Sequence, residues 1–177
     1  MGLPRARIIN RLGDPSAPKA VSLIAIHQHG IPDAFPDAVL AAAEAVTETD
    51  AEGREDLTRM PIVTIDPVDA RDRDDAVYAE IDTDSINPGG YAVWVAIADV
   101  AAYVTPGSAL DREARLRGNS TYFPDRVVPM LPDRLSGDLC SLHEGMLRPA
   151  LAVSLTLNAD GEKIANSFTR TIIWSAA

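Results

Sequence analysis

Thr64-Ile65-Asp66-Pro67-Val68-Asp69-Ala70-Arg71-Asp72-Arg73-Asp74-Asp75 packs five carboxylates into the ten residues from Asp66 to Asp75. The flanks of this stretch decide the fold. Pro61-Ile62-Val63-Thr64-Ile65 is a short, apolar, β-branched run that reads as a strand. Ala76-Val77-Tyr78-Ala79-Glu80-Ile81 alternates as a strand with one buried face does. Asn87-Pro88-Gly89-Gly90 then turns the chain, and Tyr91 to Ala98 is predicted as a largely buried strand. The acidic loop therefore falls between strands, at one end of an antiparallel meander.

Outward from the meander, Ser108 is an N-cap for a helix that carries Asp111, Glu113 and Arg115 and stops at Gly118. Strands are predicted from about Ala150 to Leu157 and from Lys163 to Ile173. Asn158-Ala159-Asp160-Gly161 joins them, and Asp-Gly between alternating segments signals a hairpin. Toward the N-terminus, Thr47 to Arg59 is acidic and polar, as a linker is, and Asp37 to Val46 is helical in propensity and apolar spacing. Val21 to Ile26 reads as a strand after the turn cluster Gly13 to Pro18. The class is α+β, a mostly antiparallel sheet with helices, with residues 1–53 leading into a main domain over 54–177. Thr171 to Ala177 reads as a last strand without a partner. The domain is therefore expected to continue, and the edge near Ile172 to invite self-association.

Sixteen Lys and Arg stand against 26 Asp and Glu, for a net charge of −10. A basic, polyphosphate-binding surface is excluded as the dominant feature. Half of the acids fall between Glu48 and Asp84, however, and like charges that close call for a counter-ion. A single cysteine, Cys140, allows no internal disulfide and reads as a buried structural thiol. No apolar run is long enough to span a membrane and no signal-peptide pattern is present, so a cytoplasmic protein without membrane partners is expected.

The loop has the chemistry of a hard-cation site. Mg²⁺ takes a few carboxylate oxygens and keeps positions open for water and phosphate, and two such ions can activate a water and stabilise a leaving oxygen. An EF-hand is excluded: counted from Asp72, its fifth and sixth positions are Ala76 and Val77, and counted from Asp69, its third is Arg71. The residues alone also allow solvated loop acids paired with Arg71 and Arg73. His27-x-His29 reads as packing or surface histidines on a strand, since no third ligand lies near, and His143 stands alone. Arg112, Arg115 and Arg117 read as an exposed helix face paired with acids, while Arg126 stays open to phosphate.

Thr64-Ile65-Asp66-(x₅)-Asp72-Arg73-Asp74-Asp75-Ala76 resembles the signature of the ribonuclease II/ribonuclease R family. Val95 to Val100, Pro106 to Asp111, Ser120 to Pro132 and Leu139-Cys140-Ser141-Leu142 resemble further family segments in the same order. Bacterial ribonuclease R is the nearer branch, and the likeness runs from about Leu57 to Ile173. Arg7 to about Ala45 resembles the end of a preceding cold-shock (OB-like) domain and its lead-in.

The resemblance implies an RNB-type catalytic domain. Such a domain degrades RNA processively from the 3′ end to nucleoside monophosphates, with Mg²⁺ (or Mn²⁺) as cofactor. It places the active-site and metal-binding aspartates at Asp66, Asp72, Asp74 and Asp75, and leaves Asp69 a solvated loop acid. Tyr122 matches the aromatic that stacks near the 3′-terminal nucleotide. The expected partner is the 3′ end of single-stranded RNA, not DNA. The alternative is a non-catalytic RNA-binding or interaction remnant, and residues 1–177 alone are expected to be inactive.

Overall fold

The computed structural model describes residues 7, 8, 14, 17, 20–48 and 51–177. Helices α1 (Ala20–His29) and α2 (Asp37–Glu44) come first, then β1 (Glu55–Asp56), β2 (Asp75–Ile81) and β3 (Tyr91–Ala98). Helix α3 (Ala109–Arg117), the hairpin β4 (Thr121–Phe123) and β5 (Arg126–Val128), and a π-helical turn at Leu135–Leu139 intervene. The long strands β6 (Leu147–Leu157) and β7 (Lys163–Trp174) close the chain. One five-stranded sheet runs β1-β7-β6-β3-β2, antiparallel except for the parallel β1–β7 pair.

One face of the sheet is floored with alanine. Ala76 pairs with Ala96, Ala96 with Ala152, and Ala98 with Ala150, and all five are buried. Such small side chains let a covering layer come close. Val39 and Ala43 of α2, Leu110 of α3 and Leu131, Leu135, Leu139 and Leu142 supply the bulk from above. Each fully buried leucine is worth about 1.5–3 kcal/mol. On the opposite face Ile81, Tyr91, Ile97, Leu151 and Phe168 keep substantial exposure, so β3 is buried on one side and not on both.

Helix α3 begins and ends where the sequence places it. The Ser108 hydroxyl accepts the Asp111 N–H at 3.1 Å, and Gly118 ends the helix at φ 78°. Other expectations are corrected. Val21 to Ile26 lies within helix α1 and not in a strand, which also puts His27 and His29 on a helix. A six-residue apolar run does not separate the two states by its period. The signal that favours the helix is Gly30, at φ 65°, which ends its ten residues. Pro61 to Ile65 makes only one bridge, Val63 to Val77; Ile62 O and Thr64 N instead bond Ala176 N (2.8 Å) and Ala177 O (2.9 Å). Nor is Ile172 an open edge. It is buried, paired with Pro149 of β6 on one side and with Asp56 of β1 on the other. The expected cold-shock end falls partly outside the described residues, and those described before Glu55 form two helices, Ala20–His29 and Asp37–Glu44, and no strand.

Cys140 is buried in the leucine layer, and burial pushes its thiol up to about 12. At pH 8 native protein is expected to resist aromatic disulfide reagents and to react fully once unfolded. Because the folded thiol titrates above the unfolded value of 9.0, its stabilising contribution is complete below pH 9 and is lost as the pH rises toward 12. Fast labelling of the native state would show that the leucine layer is open.

Candidate active site

The acidic loop is held at its ends and free in its middle. Val63 bridges to β2 on the near side, while Pro67, Val68 and Asp69 project into solvent around a turn closed by Ala70 N–H on Pro67 O (2.9 Å). Arg73 is gripped at both its N–H and its carbonyl. The N–H donates to the Ser141 hydroxyl at 3.0 Å, and the carbonyl accepts from Leu142 N–H at 2.9 Å. Asp74 O accepts from Ala98 N–H at 2.9 Å, and Asp75 opens β2 opposite Ile97. The main chain from Asp72 to Asp75 is therefore set by neighbours on other segments, whereas Asp66 rides on the free arm.

Asp74 is the aspartate that feels the other three. The protein packed around Asp74, and then the charges of Asp72, Asp75 and Asp66, push its carboxyl above the ordinary range. Tyr122, on β4, donates its hydroxyl to the Asp72 carboxylate. That bond, burial, and the charges of Asp72 and Asp74 push the phenol up to about 12, so it stays a donor at neutral pH. Asp66, Asp72 and Tyr122 share a cleft of about 620 Å³ with Arg71 and Arg126. Asp74 and Asp75 lie outside its lining, and Asp69 is within it.

The donor set is all carboxylate oxygen, and the mutual repulsion focused on Asp74 is what a divalent cation relieves. In chemistry the four aspartates fit Mg²⁺. Among the described residues, though, no three His, Cys, Asp or Glu side chains stand at distances that would share an ion. The loop carries the four carboxylates without drawing them to one point.

Comparison with known proteins decides the family. A model of the RNB domain matches residues 54–177. The chain belongs to the RNB family. It is 46% identical to ribonuclease R of Acidithiobacillus ferrooxidans over 98% of this chain and 39% of that protein. It is 47% identical to ribonuclease R of Vibrio parahaemolyticus over 88% of this chain and 19% of that one. The chain thus spans well under half the length of these relatives. Its fold matches Mycoplasma genitalium RNase R, solved with ribose-methylated single-stranded RNA, at a TM-score of 0.85 and 32% identity. That match covers 93% of this chain and 26% of the other.

Within this RNB chain, several neighbours of the site carry no sequence signal of their role. Arg71 pairs with Asp133 at 3.2 Å across the mouth of the cleft, both well exposed. Ser141 stands in the sequence only as one position of a motif, yet a serine fully buried between Cys140 and Leu142 must spend its hydroxyl on something. The side chain of Arg117, expected on an exposed helix face, is almost completely buried. Arg115 does pair with Asp111 on the exposed face, at 3.2 Å. Among the described residues no helix is long and apolar enough to cross a membrane.

Proposed function

We propose that this chain carries the aspartate site of a cytoplasmic 3′→5′ exoribonuclease that hydrolyses RNA processively to nucleoside 5′-monophosphates. The observation that carries the reading is the cleft shared by Asp66, Asp72 and Tyr122, with the Tyr122 hydroxyl bonded to the Asp72 carboxylate; burial, and then the charges of Asp72, Asp75 and Asp66, raise the Asp74 carboxyl. Asp66, Asp72, Asp74 and Asp75 would hold Mg²⁺ or Mn²⁺. The ion supplies a water activated at neutral pH and charge stabilisation for the leaving oxygen. Tyr122 offers a π-face to the terminal base, which suits a substrate of any sequence. Arg126 and Arg71 offer positive charge beside the path of the phosphates. With a net charge of −10, this part of the protein gains little from counter-ion release. RNA affinity must come from groups that line the path, not from overall charge.

The purified native gene product, incubated with 5′-labelled single-stranded RNA and Mg²⁺, is expected to shorten it from the 3′ end and release nucleoside monophosphates. Intact RNA would favour a non-catalytic binding role, and internal cuts would overturn the exonuclease reading. In the same assay residues 1–177 alone are expected to release little. In-line positioning of the phosphate can supply up to about 7–11 kcal/mol of barrier reduction, and of the four aspartates only Asp66 and Asp72 line the open cleft.

A further inference from the structure

The backbone between Asp72 and Asp74 is held by contacts from outside the loop. Asp72 and Asp74 flank Arg73, so whatever fixes the Arg73 backbone fixes the directions in which both carboxylates leave the chain. Among the described residues, one side-chain atom outside the loop bonds that backbone: the Ser141 hydroxyl, 3.0 Å from Arg73 N. Leu142 N–H completes the grip on Arg73 O at 2.9 Å. Ser141 lies 68 residues further along the chain and is 0% exposed.

Ser141 is itself braced. Its N–H donates to Asp138 O at 2.9 Å. Its carbonyl accepts from His143 N–H at 2.9 Å and from the buried Arg148 Nε at 3.1 Å. Arg148 Nη2 in turn donates to the Asp138 carboxylate at 2.9 Å. Asp138 lies in the π-helical turn, whose neighbours Ser136 and Gly137 line the cleft. Turns of this kind recur near functional sites, where the extra residue redirects the chain beyond it. Here the turn delivers Ser141 and Leu142 to the back of the acidic loop.

We infer that Ser141 is a positioning residue, whose hydroxyl sets the Arg73 backbone so that Asp72 and Asp74 face the ion and the substrate together. The inference rests on the aspartate site proposed above. It adds a residue that touches neither metal nor RNA. Groups that orient ligands from behind typically change metal affinity or activity by about 10- to 100-fold when removed.

The test uses the native gene product with Ser141→Ala and with Ser141→Cys. The second fills the same space but accepts a hydrogen bond weakly. Both are expected to lower kcat on single-stranded RNA, by about 10- to 100-fold for alanine, with KM within about twofold. Mn²⁺ affinity, read by electron paramagnetic resonance without RNA, is expected to fall with kcat, and the Arg73 amide to exchange faster. Thr171→Val is the control. It removes another fully buried hydroxyl, bonded to Ala150 O at 3.2 Å in the sheet and two strands away from β3, which holds the loop's end. It is expected to cost stability with kcat and Mn²⁺ affinity unchanged. Wild-type kcat and Mn²⁺ affinity in both Ser141 variants would overturn the inference. So would equal losses in Thr171→Val, since general loosening would then explain them. Asp74→Asn in the same assays separates the two readings: if it cleaves normally the aspartate site is wrong, and if it does not, only the role of Ser141 is in question.

Discussion

Asp74→Asn in the native gene product is expected to slow single-turnover RNA cleavage on the order of 10²–10⁴-fold, comparable to the loss of one electrostatic or proton-transfer group. RNA affinity should change little, because phosphate contacts and base stacking do not pass through this carboxylate. The fold should not suffer either. Burial and the charges of Asp72, Asp75 and Asp66 raise the Asp74 carboxyl, so its ionised form is disfavoured in the native state. Below the unfolded value of 3.8 that penalty is absent, and it grows as the pH rises through the folded value. In the presence of a chelator the variant should therefore melt above wild type at pH 7, with the gap closing in acid. Wild-type cleavage in the variant, or lower melting at neutral pH, would contradict the placement of Asp74.

Arg117→Met is expected to cost about 3–5 kcal/mol of stability, the scale for breaking a buried ion pair on one side. The side chain is 2% exposed and holds Glu113 at 2.8 Å. It also donates to the carbonyls of Pro32 (2.8 Å), Ala34 (2.7 Å) and Pro129 (3.2 Å), and its guanidinium lies 3.6 Å over the Phe35 ring. It thus ties α3 both to the segment that joins α1 and α2 and to the chain leaving β5. Methionine would leave Glu113 buried without a counter-charge and three carbonyls without a donor. Combining it with Glu113→Leu should restore the charge part of the loss and not the carbonyl part. Urea midpoints of the single and double variants measure both. A loss under about 1 kcal/mol for Arg117→Met, the scale of an exposed pair, would mean that water reaches the pair.

Local regularity made much of this legible. β2, β3, β6 and β7 announce themselves by alternation and by the turns at Asn87–Gly90 and Asn158–Gly161, and α3 by Ser108 and Gly118. The acidic loop stands out because its five carboxylates are near neighbours in the chain, whereas the choice of Asp66, Asp72, Asp74 and Asp75 among them rests on the family resemblance. Contacts that depend on tertiary packing were not legible. Nothing around Arg117 says that its fork will meet carbonyls from two distant segments. Nothing around Ser141 says that its partner is Arg73. Val21 to Ile26 failed for a different reason: a short apolar run suits either state, and the packing of Ile26, 1% exposed, decided it. The pairing of β7 with β1 escaped because two acidic residues, Glu55 and Asp56, carry no strand propensity of their own.

The grip on Arg73 also determines where this chain could change length. Between Val63 and Arg73, Pro67 to Asp69 lie in solvent, with Val68 wholly exposed, and an added residue would merely widen an arc. Closure entropy grows slowly with arc length, so such an insertion costs little. Past Arg73 the freedom ends abruptly. One residue added between Asp74 and Ala76 would transpose every side chain of β2 across the sheet, driving valine into the alanine floor and alanine out of it. The two arms of one short loop thus differ in what the fold tolerates: an added residue is absorbed by the backbone on the Asp66 side and ruinous on the Asp75 side.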